Sequence, residues 1–271
     1  IEQQSHQIIS SIQYAKRIQE AVLPEDENLI EVLPSHFVYF HPRDIVSGDF
    51  YWVKQIQNYI FVAVADCTGH GVPGAFMSML GTAFLNEITG QGEIMKPSEI
   101  LNALREKVKK SLKQTGKTGE AKDGMDMVLV RIDLESQELI FSGAHNSIVH
   151  LRTNSETNQP ELTYLKGDKM PIGIGRKEDS FNDQITPLQP NDMIYLYTDG
   201  YIDQFGGPKK MKFMTSGFKE LLQHIYTKPP QEQKRLLEEN MKNWKGNIEQ
   251  IDDMLVVGIQ FTDEYGIVEL F

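Results

Sequence analysis

Three near-continuous apolar runs each meet a carboxylate at one end, and this constrains the chain more than any other feature. Tyr59-Ile60-Phe61-Val62-Ala63-Val64-Ala65 stops at Asp66, and Asp192-Met193-Ile194-Tyr195-Leu196-Tyr197-Thr198 stops at Asp199. In the third, Asp252-Asp253 precedes Met254-Leu255-Val256-Val257-Gly258-Ile259. Runs this short and this apolar read as strands buried on both faces, which need an apolar layer above and below.

The segments between them can supply those layers. Strands are expected at Val38-Tyr39-Phe40 and Phe50-Tyr51-Trp52-Val53, then as a meander over Met125 to Asp133, Leu139 to Gly143, Ser147 to Arg152 and Leu162 to Leu165. A further terminal strand is expected after Ile259. Helical spacing puts Phe76, Met77, Leu80, Ala83, Phe84 and Ile88 on one side of a helix whose first turn holds Pro73. A second helix from Pro97 turns Ile100, Leu101, Leu104, Val108 and Leu112 inward, and two more follow at Ser216 to Tyr226 and Pro230 to Trp244. Strands, two helices, strands, two helices and strands in that order predict two sheets, each with a helical layer outside it. At the N-terminus, Ile8, Ile12, Ala15, Ile18 and Val22 form a narrow stripe on a helix that Pro24 ends. The stripe fits a helix packed on its own domain or one paired with a second copy through residues 1–22. The chain therefore divides into an N-terminal signalling or linker helix, 1–30, and a catalytic-sized domain, 31–271.

The placement of the acids points to chemistry. If the third run is antiparallel to a neighbour among the first two, Asp66, Asp199 and Asp252 emerge at one rim, and Asp49 of Ser47-Gly48-Asp49 joins them if its strand is antiparallel to the run ending at Asp66. Acids crowded in this way repel unless a divalent cation compensates them, and oxygen-only donors favour hard ions such as Mg²⁺ or Mn²⁺. Taken singly, Asp-Gly after a strand is ordinary turn chemistry; the repeated coincidence is what carries weight. With 27 Lys and Arg against 38 Asp and Glu, the net charge of −11 argues against nucleic acid as a partner and so against a metal-dependent nuclease. The single cysteine, Cys67, excludes an internal disulfide framework and fits a reducing compartment. No apolar run approaches the roughly 20 residues of a membrane span. The expected location is the cytoplasm, either alone or as the cytoplasmic part of a larger, membrane-bound protein. Thr68 to Gly74 lacks the Gly-Lys-Ser/Thr ending of a nucleotide loop.

Six motifs carry a family resemblance. Ser47-Gly48-Asp49-Phe50-Tyr51-Trp52, Ala65-Asp66-Cys67-Thr68-Gly69-His70-Gly71, Ser142-Gly143-Ala144-His145-Asn146, Pro171-Ile172-Gly173-Ile174, Thr198-Asp199-Gly200 and Asp252-Asp253-Met254 occur in the order seen in bacterial protein serine phosphatases. The chain resembles the SpoIIE/RsbU-like branch of the metal-dependent PP2C (PPM) superfamily over residues 34–261. The resemblance implies an α+β fold, a four-layer αββα sandwich with an N-terminal linker helix, and two Mn²⁺ or Mg²⁺ ions at one end of it. It implies a phosphoserine/phosphothreonine phosphatase working by direct attack of metal-activated water. By motif, Asp66 bridges both metals, the Cys67 carbonyl and Asp49 serve the second, and Asp199 and Asp252 hold the first, with Asp253 in place of Asp252 if the pair is read one residue out of register. Arg43 is a candidate for gripping the substrate phosphate, and His70 for binding or protonating it, with a turn residue at the helix start as the alternative for His70. Asp123 and Asp126, at the start of the central meander, read first as loop acids, with a third metal site as the alternative for either. Lys209, Lys210 and Lys212 lie where the family carries inserts and could attract an acidic substrate. The implied partners are a phosphorylated anti-sigma-factor antagonist with a STAS fold and an upstream sensor module. The rival reading is a catalytically silent copy of the fold used for binding or dimerisation.

Overall fold

The computed structural model describes residues 2–262 apart from 91, 93, 118, 119 and 121, so the terminal strand expected after Ile259 falls largely outside the described residues. The chain runs α1 (Glu2–Val22), α2 (Asp26–Val32), β1 (His36–His41), β2 (Phe50–Ile56), β3 (Tyr59–Cys67), α3 (Gly71–Thr89), α4 (Pro97–Ser111), β4 (Met125–Asp133), β5 (Glu138–Ala144), β6 (Ile148–Thr153) and β7 (Pro160–Leu165). It continues through β8 (Gln184–Pro187), β9 (Met193–Tyr197), α5 (Gly200–Asp203), β10 (Phe205–Gly206), β11 (Met211–Lys212), α6 (Met214–Ile225), α7 (Pro230–Lys245) and β12 (Met254–Gln260).

The strands form two five-stranded antiparallel sheets, ordered β1-β12-β9-β6-β7 and β2-β3-β4-β5-β8. The period-2 alternation of strand side chains explains why the central runs are apolar throughout. In β3, Val62 and Val64 enter the core between the sheets, whereas Phe61, Ala63 and Ala65 face the layer containing α3 and α4. In β9, Ile194 and Leu196 face inward and Met193, Tyr195 and Tyr197 meet the layer containing α6 and α7; in β12, Leu255 and Val257 face inward and Met254 and Val256 outward. The result is the expected four-layer αββα sandwich.

Several local expectations are corrected. Phe76 is not on the buried side of α3: it is 70% exposed, and the buried stripe runs through Met77, Gly81, Leu85 and Ile88. Gly81 sets this face, since a Cβ there would come within 2.8 Å of the Phe50 ring. Leu112 lies past the end of α4 and is exposed. The helix α2, the strand β8, the short α5 and the β10–β11 hairpin inside the lysine-bearing insert were not legible from periodicity, because each is too short to show one. Although short, α2 is firmly placed: Leu29 and Leu33 join the core between the sheets. Among the described residues no helix is long and apolar enough to cross a membrane.

Candidate active site

Antiparallel register brings the acids together. Asp49 immediately precedes β2, whose Phe50 pairs with Ala65, so Asp49 stands level with Asp66 near the end of β3. On the other sheet, β9 and β12 pair Tyr197 with Val256, and the pairing continues as the Thr198 amide donates to the Leu255 carbonyl (3.0 Å). Asp199 therefore leaves β9 where Asp252 and Asp253 enter β12, as the sequence pattern predicted for antiparallel neighbours.

A cavity of about 320 Å³ opens at this rim, lined by Asp66, Cys67, Thr68, Gly69, His70, Asp126 and Asp252. Burial raises the Asp66 carboxyl to about 9, helped by the charges of Asp199, Asp252 and Asp126. Asp199 shares a side-chain hydrogen bond with Asp66, and its carboxyl is likewise raised by burial and by Asp252 and Asp203. Asp252 is raised by burial and by Asp253, with Arg43 and His70 acting in the opposite sense. Asp49 is almost wholly buried and also pushed up, by burial and by Asp66; its Oδ2 accepts a 2.6 Å hydrogen bond from the Thr198 hydroxyl. Repulsion at this density means that the folded chain brings more negative charge to the rim than it compensates there.

The remaining sequence-predicted residues sort by what they touch. Asp253 uses both carboxylate oxygens on backbone amides, Oδ1 accepting from Arg43 N–H (2.7 Å) and Oδ2 from Gly48 N–H (2.8 Å). It thus clamps the loop that carries Asp49, while Asp252 faces the cavity. Arg43 is exposed and donates Nη1 to the Ile251 carbonyl at 3.0 Å. The His70 ring is held by Asp44 Oδ2 at 2.8 Å. Cys67 is buried, and burial beside the carboxylates drives its thiol far up, so a thiolate is disfavoured and only the backbone carbonyl is a sensible ligand. Lys212 is occupied by Asp203 at 2.6 Å.

Glycines hold the loops close. A Cβ on Gly74 would sit 2.3 Å from the Gly69 carbonyl oxygen and 2.8 Å from Gly48 Cα, so the first turn of α3, the Cys67–Gly69 loop and the Asp49 loop meet backbone to backbone.

One site-related residue was underrated in the sequence reading and another escaped it. Asp126 is not a loop acid: it lies in β4 directly opposite Asp66 and lines the cavity, a neighbour created by register alone. Gln19, a polar residue on an otherwise exposed helix, is buried; its amide donates to the Ser47 carbonyl (2.6 Å) and to Ser78 Oγ (2.9 Å), and its oxygen accepts from Ser47 N–H (3.0 Å). No local pattern distinguishes Gln19 from its solvated neighbours.

The family model for Stage II sporulation protein E (SpoIIE) matches residues 57–262. The chain belongs to the SpoIIE family. It is a PP2C-type phosphatase domain of the SpoIIE/RsbU kind. The SiaA-PP2C domain of Pseudomonas aeruginosa is similar at 31% identity, over 96% of this chain and 99% of that one, with a TM-score of 0.84. The PP2C phosphatase domain with a fragment of the regulatory domain of SpoIIE from Bacillus subtilis has the same fold at 21% identity, covering 84% of this chain and 61% of that one (TM-score 0.66). So do the RsbU and RsbW domains of Rv1364c from Mycobacterium tuberculosis, at 20% identity over 86% and 61% (TM-score 0.65). No curated protein matches the chain.

Proposed function

We propose that this SpoIIE-family domain hydrolyses phosphoserine or phosphothreonine on a partner protein with the help of two Mn²⁺ or Mg²⁺ ions. The observation that carries this reading is the convergence of Asp49, Asp66, Asp199 and Asp252 on one rim, with their carboxyls raised by burial and mutual repulsion. Among the described residues no group of three or more His, Cys, Asp or Glu side chains is arranged to hold an ion as it stands. The donor set nevertheless fits hard divalent cations, because it offers only oxygens and an excess of uncompensated charge. Asp66 is assigned to both ions, Asp199 and Asp252 to the first, and Asp49 with the Cys67 carbonyl to the second; Asp253 is assigned to the loop. When bound, the ions supply charge compensation and an acidified water for attack on phosphorus. Arg43 and His70 are the candidates for binding the phosphoryl oxygens: His70 lines the cavity, and both act electrostatically on Asp252.

The partner class is a phosphorylated STAS-type anti-sigma-factor antagonist, and residues 1–30 are the regulatory linker of the phosphatase domain 31–271, downstream of a sensor. Two features support control through α1. Gln19 ties it to the Asp49 loop and to α3. Its Ile8, Ile12 and Ala15 line an apolar groove with Val72 and Phe76, which suits pairing of residues 1–22 with a second copy. The test is phosphate release from a phosphoserine protein in Mn²⁺. Asp66→Asn and Asp199→Asn are each expected to lose more than about 100-fold, exceeding the loss of an outer-shell partner. An inactive wild type would favour the silent-module reading, and Asn variants with full activity would overturn the assignment of the two acids.

A further inference from the structure

Asp126, which lines the cavity, belongs to a second histidine–carboxylate pair besides His70 and Asp44. His145 Nδ1 lies 2.9 Å from Asp126 Oδ1. A carboxylate acceptor fixes the proton of that bond on Nδ1, which leaves Nε2 as the working nitrogen. The ring is 41% exposed, and among the described residues no hydrogen bond engages Nε2.

The supports of this pair are rigid. Asp126 lies within β4 and faces Asp66 across the ladder, and His145 directly follows β5, whose Ala144 pairs with Met127. His145 itself takes a left-handed backbone, φ 57°, which costs a histidine energy and persists only where the surroundings impose it. Here its N–H donates to the Asp168 carbonyl at 2.7 Å. The His70–Asp44 pair has softer support, since both residues sit outside the sheets with side chains 53% and 40% exposed. A group that must meet one substrate atom in one geometry is better placed from strand ends than from loops.

We infer that His145 is the general acid of the hydrolysis proposed above, on which this inference rests, and that Asp126 is the residue that positions it. As water adds to phosphorus, the bond from phosphorus to the serine oxygen breaks and its electron pair stays on that oxygen. The proton on His145 Nε2 passes to the same oxygen, so the product leaves as a neutral serine hydroxyl rather than an alkoxide. The surplus proton of the attacking water goes to solvent, and His145 is reprotonated from solvent. Asp126 holds the Nδ1 side of the ring and so fixes its plane throughout.

The test compares two substrates that differ in their need for that proton. The leaving group of p-nitrophenyl phosphate departs as a stable anion, whereas a phosphoserine peptide must release an alkoxide or be protonated. His145→Asn is the variant of choice, because Asn accepts the left-handed backbone. Its loss in kcat should be about 100-fold greater on the phosphoserine peptide than on p-nitrophenyl phosphate. Asp126→Asn should show the same selectivity in smaller measure. Equal losses on both substrates, no loss on either, or a selective loss that appears in His70→Asn instead would overturn the assignment. A wild type that releases phosphate from neither substrate is a different result, and it overturns the phosphatase reading together with its acid.

Discussion

The two ends of strand β9 carry opposite solutions to one problem, a buried carboxylate. Asp192, just before β9, is buried, which alone would raise its carboxyl, but the Arg152 fork, the His150 ring and the Gln189 amide outweigh that and hold it below the usual range. The Arg152 Nε bond is 3.0 Å, the His150 Nε2 contact 2.9 Å and the Gln189 N–H bond 2.9 Å. Asp199, just after β9, sits among Asp66, Asp252 and Asp203, and its carboxyl is raised. The fold thus builds counter-charge into one end of the sandwich and withholds it from the other. A fully compensated acid is architecture; a group of uncompensated ones is a receptor for positive charge.

Breaking the comparison at each end should move stability in opposite directions. Asp192→Asn strands Arg152 beside His150 and is expected to cost about 3–5 kcal/mol, read as a fall in thermal midpoint, while activity per folded molecule is kept. Asp66→Asn should do the reverse in metal-free protein. The Asp66 carboxyl is raised in the folded state, so the cost of its charge is absent below the unfolded value near 4 and grows as pH rises towards about 9. The variant should therefore melt roughly 3–6 °C higher than wild type at pH 8 and close to it at pH 4. A shift of the same sign at both ends would dissolve the contrast.

A smaller effect sharpens it from the side of regulation. Gln19→Ala removes the hydrogen bonds that tie α1 to the Asp49 loop, while leaving the four site acids untouched. Activity is expected to fall by about 5- to 10-fold, the low end of the typical 1–3 kcal/mol cost of stranding buried polar groups. An unchanged rate at all substrate concentrations would make the Gln19 contact a passive one.

The legible parts of this molecule were those written in short-range pattern. The near-continuous apolar runs that form β3, β9 and β12, with an acid at one end of each, implied both the buried sheets and the rim where Asp66, Asp199 and Asp252 meet. What was not legible depends on partners distant in sequence. Asp126 becomes a cavity residue only because β4 pairs with β3 in a register that sets it opposite Asp66. Gln19 is distinguished only by partners distant in sequence, the Ser47 backbone 28 residues away and the Ser78 hydroxyl 59 residues away. Phe76 was misassigned because a stripe of large residues was taken for the buried face, whereas Gly81 and Ser78 mark it here. That Asp253 is taken up by the Arg43 and Gly48 amides while its neighbour Asp252 lines the cavity could not be read from two adjacent acids.

The most direct test of the central claim is calorimetric titration of Mn²⁺ into metal-free protein, in buffers of different ionisation enthalpy, at several pH values. Ions entering a rim of raised carboxyls must displace protons, so binding should release protons at pH 6–7 and release progressively fewer as pH approaches the Asp66 value of about 9. Asp66→Asn should abolish most of both the binding and the release. Binding that is absent, that moves no protons at any pH, or that survives intact in Asp66→Asn would contradict the account.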